Sequence, residues 1–306
     1  MIEEWDLDPG MGIMKNRVLK FLLIFVLCFP SHAAIGRELA DVQAFWVNLI
    51  KKIPLRPESA LTGSEFANRV SAMDKSEREQ AILAQLIRGN LPDFLRRLRP
   101  LQLIHRFEDK KAITATIFVM PDYLAIGSDH DFLSMPMDLY TGLETAIRFG
   151  FVLPTKKMVD AIFKHSDFHF TPEPMRPGPR MTSMAYFLEH SRRIKEQRLA
   201  IGCPLDALIS GHKKDVVLTN RLVQNQGKIA IYGWHWPSGI PIQPLTTIHG
   251  ATYADYSHGI RLVSEMVLID GKPCSIYEVL EDPRLATVLS DEGPIQIRDL
   301  MAMLNR

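Results

Sequence analysis

Ala112-Ile113-Thr114-Ala115-Thr116-Ile117-Phe118-Val119-Met120 is the stretch on which the fold reading turns. Its β-branched side chains crowd a helix and sit well on a pleated surface, so the run reads as a strand. It marks a change of character near Lys111. Upstream, Leu39, Val42, Trp46, Leu49 and Ile50 recur at helical spacing until Pro54 and Pro57 end the segment. Ser76 and Glu79 have capping-box spacing ahead of Ile82, Leu83, Leu86 and Ile87, with Gly89-Asn90 as the stop. Pro92 opens a short helix with Phe94, Leu95 and Leu98, closed by Pro100. Downstream, Tyr123 to Ile126 reads as a second strand. Thr141 to Phe149, Thr155 to Lys164 and Ser183 to Arg198 read as helices, with Thr155 a natural cap. Pro172, Pro174, Pro177 and Pro179 mark an extended loop. After Gly202 strands are expected at Asp215 to Thr219, at Lys228 to Tyr232 and around Ile260 to Ile269, where Asp270-Gly271 signals a hairpin turn. Ile276 to Leu289 reads as two short helices divided at Pro283. Helices grouped early and strands grouped late predict an α+β fold, an N-terminal helical region packed on a C-terminal β-rich half with a mixed or antiparallel sheet. The expected divisions are a leader and signal peptide over 1–33, a helical subdomain over 34–110 and an α+β domain over 111–306.

The leader sets the expected compartment. Lys15, Arg17 and Lys20 precede the apolar run Phe21 to Phe29, Pro30 breaks it, and Ser31 and Ala33 place small residues before a cut at Ala34. That is the layout of a secretory signal peptide, so an exported protein, periplasmic or secreted, is expected. The acidic segment Met1 to Ile13 does not fit such a leader, which makes Met14 the expected start. The run is short of the roughly 20 residues that cross a bilayer, and no later run approaches that length, so no membrane span is expected after cleavage. With 36 basic and 35 acidic residues, no concentrated basic face for nucleic acid is expected. At 46% hydrophobic the chain has ample material for a core. Cys203 and Cys274 remain after cleavage; a disulfide and two separate buried thiols both stay open.

Chemistry concentrates between Ser210 and Arg261. Gly211-His212-Lys213-Lys214-Asp215, Tyr232-Gly233-Trp234-His235, His249 and Asp255-Tyr256-Ser257-His258-Gly259 set imidazoles and carboxylates at strand ends, where a rigid scaffold presents site residues. Three chemistries fit. A divalent metal such as zinc would use His212, His235, His249, Asp215 and Asp255, although no standard zinc spacing is present. A nucleophilic serine would be Ser257, whose adjacency to His258 gives no support because strand neighbours point to opposite faces. General acid–base catalysis would use a His–Asp pair. The candidate roles are acid–base or ligand groups at His212, His235 and His258, orienting or metal-binding carboxylates at Asp215 and Asp255, and charge neutralisation by Lys213. Trp234, His249, Gln243 and His190 are candidate substrate-binding residues. Each also has a plain structural reading: a hydrogen-bonded core imidazole, a solvated lysine pair, a core tryptophan.

These stretches carry a resemblance. Leu153 to Asp160, Gly211 to Val217, Ile231 to His235, Pro241 to Leu245 and Asp255 to Val263 resemble a family of secreted bacterial proteins without a settled activity, over most of the region from Gly127 to Gly293. The likeness implies that polar residues in those stretches act together and supplies no mechanism. Ser257-His258-Gly259-Ile260 is weakly similar to papain-like envelope peptidases, but no cysteine precedes a helix at the matching place. Ser210-Gly211-His212 and Gly233-Trp234-His235 are faintly similar to zinc D-Ala-D-Ala peptidases, whose spacing this chain departs from. The expected function is an exported hydrolase acting on an extracytoplasmic, cell-envelope polymer or a small-molecule substrate through a histidine/aspartate cleft. The alternative is a non-enzymatic glycan- or peptide-binding envelope protein that stacks ligands on Trp234, Trp236 and Tyr256.

Overall fold

The computed structural model describes residues 44–304. The expected leader and signal peptide lie outside the described residues, as does the start of the first expected helix; residues 44–50 are helical. Leu49–Arg306 forms one compact unit of α+β architecture.

Its helical entry differs from expectation in two places. Helices α1 (Gly63–Val70) and α2 (Lys75–Ile87) each start on a reciprocal capping box, Thr62 with Glu65 and Asp74 with Glu77. The expected Ser76–Glu79 box has the same spacing but falls inside the first turn of α2, because extended Asp74 already occupies the cap. The second difference is Arg99–Arg106, which forms strand β1 within the segment read as helical. Pro100 opens this strand instead of closing a helix. It is tolerated there because β1 is an edge, pairing only with β2 (Ala112–Val119) in antiparallel register from Arg99–Val119 to Arg106–Ala112.

β2 is the spine of the larger sheet. Beyond it lie β5 (Phe151–Val152), β12 (Val263–Ser264), β13 (Met266–Ile269) and β14 (Lys272–Ser275), in the order β14-β13-β2-β12-β5. The Asp270-Gly271 hairpin joins β13 to β14, with φ of 47° and 81°, the left-handed pair that an Asp-Gly two-residue turn favours. A second, mixed sheet has the order β10-β9-β8-β11, from β8 (Lys214–Val216), β9 (Ile231–His235), β10 (Pro241–Thr246) and β11 (His258–Gly259). β11 runs parallel to β8 and the other pairs are antiparallel. Two short pairs, β3 (Ala125–Gly127) with β4 (Phe132–Ser134) and β6 (Phe168–His169) with β7 (Ile209–Ser210), complete the strands.

Helices α3 (Leu139–Phe149), α4 (Lys156–His165) and α5 (Met184–Ala200) fall where the sequence expects them. Short α6 (Arg221–Gln224) follows β8, and the tail divides at Pro283 into α7 (Ile276–Glu281) and α8 (Ala286–Leu289) before α9 (Ile297–Leu304). The core joins buried Ile117, Val119, Val152, Val263 and Val267 of the sheet to Leu139 and Leu143 of α3. Thr155 caps α4: its hydroxyl accepts from the Met158 N–H and donates to the Leu289 carbonyl of α8. Thr155→Ala is therefore expected to cost about 1–2 kcal/mol, read as a melting point lowered by several degrees, whereas Thr155→Ser retains most of the stability. No described helix is long and apolar enough to cross a membrane. Cys203 is buried, Cys274 is half-buried, and both are free thiols.

Candidate functional site

Gly211 sets the geometry that brings the central residues inward. Its φ is 95°, and a Cβ there would lie 2.3 Å from the Phe170 carbonyl oxygen, so only glycine fits. The chain then enters β8 with His212 and Lys213 both buried. Asp122, just past β2, receives the imidazole: His212 Nε2 lies 3.1 Å from Asp122 Oδ1, while Arg198 Nη2 of α5 donates to Oδ2 at 2.8 Å. Burial alone would raise the Asp122 pKa; His212, through its hydrogen bond and through its charge when protonated, and the Arg198 and Arg261 cations overcome it and hold the carboxyl well below the usual range. Burial moves the His212 pKa down despite Asp122, so the ring is neutral at pH 7. The Lys213 ammonium donates to the Tyr256 carbonyl at 2.8 Å, and burial pushes it down to about 8 against the pull of Asp122 and Asp255.

Tyr256 is the hub of the group. Its ring centroid lies 5.1 Å from that of His190 on α5 and 6.3 Å from that of Trp234 on β9. Trp234 itself adopts a positive φ of 56°, an uncommon conformation for a bulky residue, with the Lys214 ammonium 5.2 Å from its ring centroid. His190, Lys213 and Trp234, three of the residues singled out from sequence, thus meet at one tyrosine, while the His212 ring packs against Tyr123 and Phe170 with centroids 5.0 and 5.3 Å away.

A second group adjoins it. Asp255 Oδ1 accepts from the Ser257 N–H and hydroxyl at 2.8 and 2.6 Å, and Oδ2 from the Tyr253 hydroxyl at 3.3 Å. His258 Nε2 stands 3.9 Å from that same Oδ2. Burial drives the His258 pKa down while Asp255 opposes it. His249 stacks on Tyr253 with centroids 4.3 Å apart, and its ring centroid is 6.1 Å from that of His258. Ser257 is engaged by Asp255, not by a histidine.

The remaining sequence candidates go elsewhere. His235 lies 3.4 Å from Asp160 of α4 and stacks on Phe163 at 4.6 Å, and none of its described contacts is with another histidine. Asp215 orients no imidazole: it accepts from the Tyr123 hydroxyl at 2.9 Å and stands 3.9 Å from Arg261, with burial raising it to about 6. Gln243 donates to the neighbouring Pro244 carbonyl. Among the described residues, no group of three or more His, Cys, Asp or Glu is placed to hold a metal ion.

Sequence reasoning missed Asp122 and Asp160, the carboxylates that seat His212 and His235, and it missed the open cleft. That cleft, about 800 Å³, is lined by Glu79, Asp138, Tyr140, Thr141, Thr252 and Tyr253, among others. Tyr253 stands between it and the Asp255–His258 pair. Glu79, released from capping, accepts from the Asp138 N–H at 3.2 Å, and burial, then the neighbouring Asp138 charge, raises it to about 7. The folded state therefore holds a proton on Glu79 that the unfolded chain releases near pH 4.5. The sign follows: this group's contribution to stability is lost as pH rises from about 4.5 through 7. Glu79→Gln is expected to flatten that part of the melting-point profile, measured by calorimetry between pH 4 and 8.

No family model, curated protein or solved structure matches this chain.

Proposed function

We propose that the chain is an exported hydrolase acting on an extracytoplasmic, cell-envelope polymer, with His212 as its general base. The observation that supports this reading is the state of the His212 ring. Asp122 holds one nitrogen, and the other, Nδ1, is buried without a hydrogen-bond partner among the described residues. An imidazole oriented by an acid at one nitrogen and free at the other is the arrangement general-base catalysis needs. Neutral His212 takes a proton from the attacking water, Asp122 stabilises the resulting imidazolium, and Arg198 fixes Asp122 from its other oxygen. The proton then passes to the leaving group as the substrate bond breaks. Lys213 draws negative charge on the substrate to that base. Tyr253 is the side chain that would turn to open the 800 Å³ cleft toward this interior.

The competing reading, an open aromatic face for glycan or peptide, would need Trp234 and Tyr256 at the surface. Both are buried, and of the three aromatics only Trp236 is exposed.

The test is a digest of purified peptidoglycan by the full chain, with new amino groups and reducing ends measured. Release of either by wild type and not by His212→Gln supports the reading; equal release by both, or none by wild type, sinks it. The pH dependence gives an independent check. kcat/KM is expected to rise with the deprotonation of His212, at a pH below the ordinary 6.5, and to fall above about 8 as Lys213 loses its charge.

A further inference from the structure

Around Tyr256 the interior holds more hydrogen-bond donors than it uses. The Lys213 ammonium gives one proton to the Tyr256 carbonyl and none to a carboxylate among the described residues. Among the described residues, Trp234 Nε1 and both ring nitrogens of His190 have no partner. The side chains of Lys213, Trp234 and His190 are buried, none more than 5% exposed. An indole N–H can only donate and an ammonium can only donate, so both are matched solely by acceptors. Buried polar groups are otherwise nearly always paired. Against the single acceptor nitrogen of neutral His190 stand the spare ammonium protons of Lys213, the Trp234 indole N–H and one His190 N–H, a surplus of donors that an anion matches.

We propose that Lys213, Trp234 and His190 form a pocket for a carboxylate of the substrate, so that the enzyme acts on polymers bearing acidic units or free carboxyl ends. The inference rests on the reading of His212 as the base of the same site. Charge selects the class of anion. Burial keeps His190 and His212 neutral at pH 7, which leaves Lys213 as the fully buried positive charge of the cluster, with the half-buried Lys214 ammonium set against the Trp234 ring. One ammonium neutralises a monoanion. A phosphate monoester, close to a dianion at that pH, would bury a surplus negative charge.

The route in is the proline-marked loop, residues 171–183. It crosses Tyr256 through three contacts: the Met175 N–H donates to the tyrosine hydroxyl at 2.8 Å, that hydroxyl donates to the Met175 carbonyl at 3.4 Å, and the Tyr256 N–H donates to the Met181 carbonyl at 3.0 Å. Its other ties run to α5, from Thr171 and Glu173 to Gln197, from Glu173 to Arg193 and from the Arg176 carbonyl to the Tyr186 hydroxyl, and to α2, where Arg78 donates to the Thr182 carbonyl. Opening the route means releasing the contacts to Tyr256 and that of Tyr186, while the ties at Thr171 and Thr182 hold the ends of the loop.

Isothermal titration of the full chain tests this, with N-acetylglycine for a peptide carboxyl end, glucuronate for an acidic sugar, and N-acetylglycinamide and inorganic phosphate as controls. Saturable binding of either acid, absent for the amide, is expected, and the acid that binds more tightly identifies the source of the carboxylate. Lys213→Met and Trp234→Phe are each expected to weaken that binding about tenfold or more, the loss of one hydrogen bond to a charged group. The Trp234 variant retains an aromatic ring, and a melt alongside each titration confirms that the protein titrated is folded. No saturable heat with either acid, equal binding of acid and amide, tighter binding of phosphate, or unchanged affinity in both folded variants overturns the proposal. The probes are not turned over, so the two readings fail separately: absent acid binding with intact polymer hydrolysis sinks the carboxylate pocket alone.

Discussion

Arg261→Met is expected to destabilise the protein by about 3–5 kcal/mol, the largest loss from any single change considered for this chain. Arg261 is fully buried. Its two terminal nitrogens donate to the Met120 and Ile209 carbonyls at 3.0 and 2.7 Å, its guanidinium lies 4.3 Å from the Tyr123 ring centroid, and its Nε stands 3.9 Å from Asp215. One side chain thus ties the end of β2 to β7 and neutralises the carboxylate of β8. Methionine fills the space but leaves two buried carbonyls unpaired and Asp215 with the Tyr123 hydroxyl alone. Burial already raises Asp215 to about 6, with Arg261 opposing, so the variant raises it further. The sign gives a second readout. A carboxyl whose folded pKa lies above its unfolded value is destabilising where it must ionise, so the loss is greatest at neutral pH and partly relieved in acid. Denaturant melts at pH 5 and 7.5 check both points. A midpoint within experimental error of wild type at both pH values would contradict this account of Arg261.

His212→Ala is expected to lower kcat about 10²–10⁴-fold on the susceptible polymer, the range that one general base supplies. KM should change far less, because the acceptor-seeking groups around Tyr256 are untouched. Stability falls too, by about 1–3 kcal/mol, since Asp122 loses one partner in a buried setting and keeps only Arg198 and the Tyr123 N–H. His212→Gln separates the effects. Its amide can still donate toward Asp122 but cannot take a proton, so it should recover stability without rate. A glutamine variant with substantial turnover would remove His212 from the mechanism.

What could be read from the sequence was what neighbours along the chain decide. The Asp270-Gly271 hairpin, the Thr155 cap and the division of the tail at Pro283 each depend on a few adjacent residues, and each is present. The capping box at α2 was ambiguous because Asp74–Glu77 and Ser76–Glu79 share one spacing; backbone geometry chose the first. β1 was hidden by Pro100, although Leu101 and Leu103 alternate toward the core. The site divides along the same line. Sequence could mark His190, Lys213 and Trp234 but could not say that Tyr256 collects them, because β11 reaches β8 from a distant part of the chain. Nearby aspartates were natural partners for the histidines, yet of Asp215 and Asp255 only Asp255 comes within ion-pair distance of one. Asp122 and Asp160 arrive from other elements to seat His212 and His235.

The pairing of β2 also sets an order of events during synthesis. Val119 finds its partner at Val263, and Thr116 at Leu268, so the spine of the sheet has no inner neighbour until the last part of the chain has emerged. Closing so long an interval is slow and leaves an apolar strand waiting in the meantime. A nascent chain stalled before Val263 has β1 to pair with and nothing to bury its other edge. Such a chain is a natural client for a holding chaperone, and premature stop codons anywhere upstream of that valine should yield insoluble product instead of a smaller working protein.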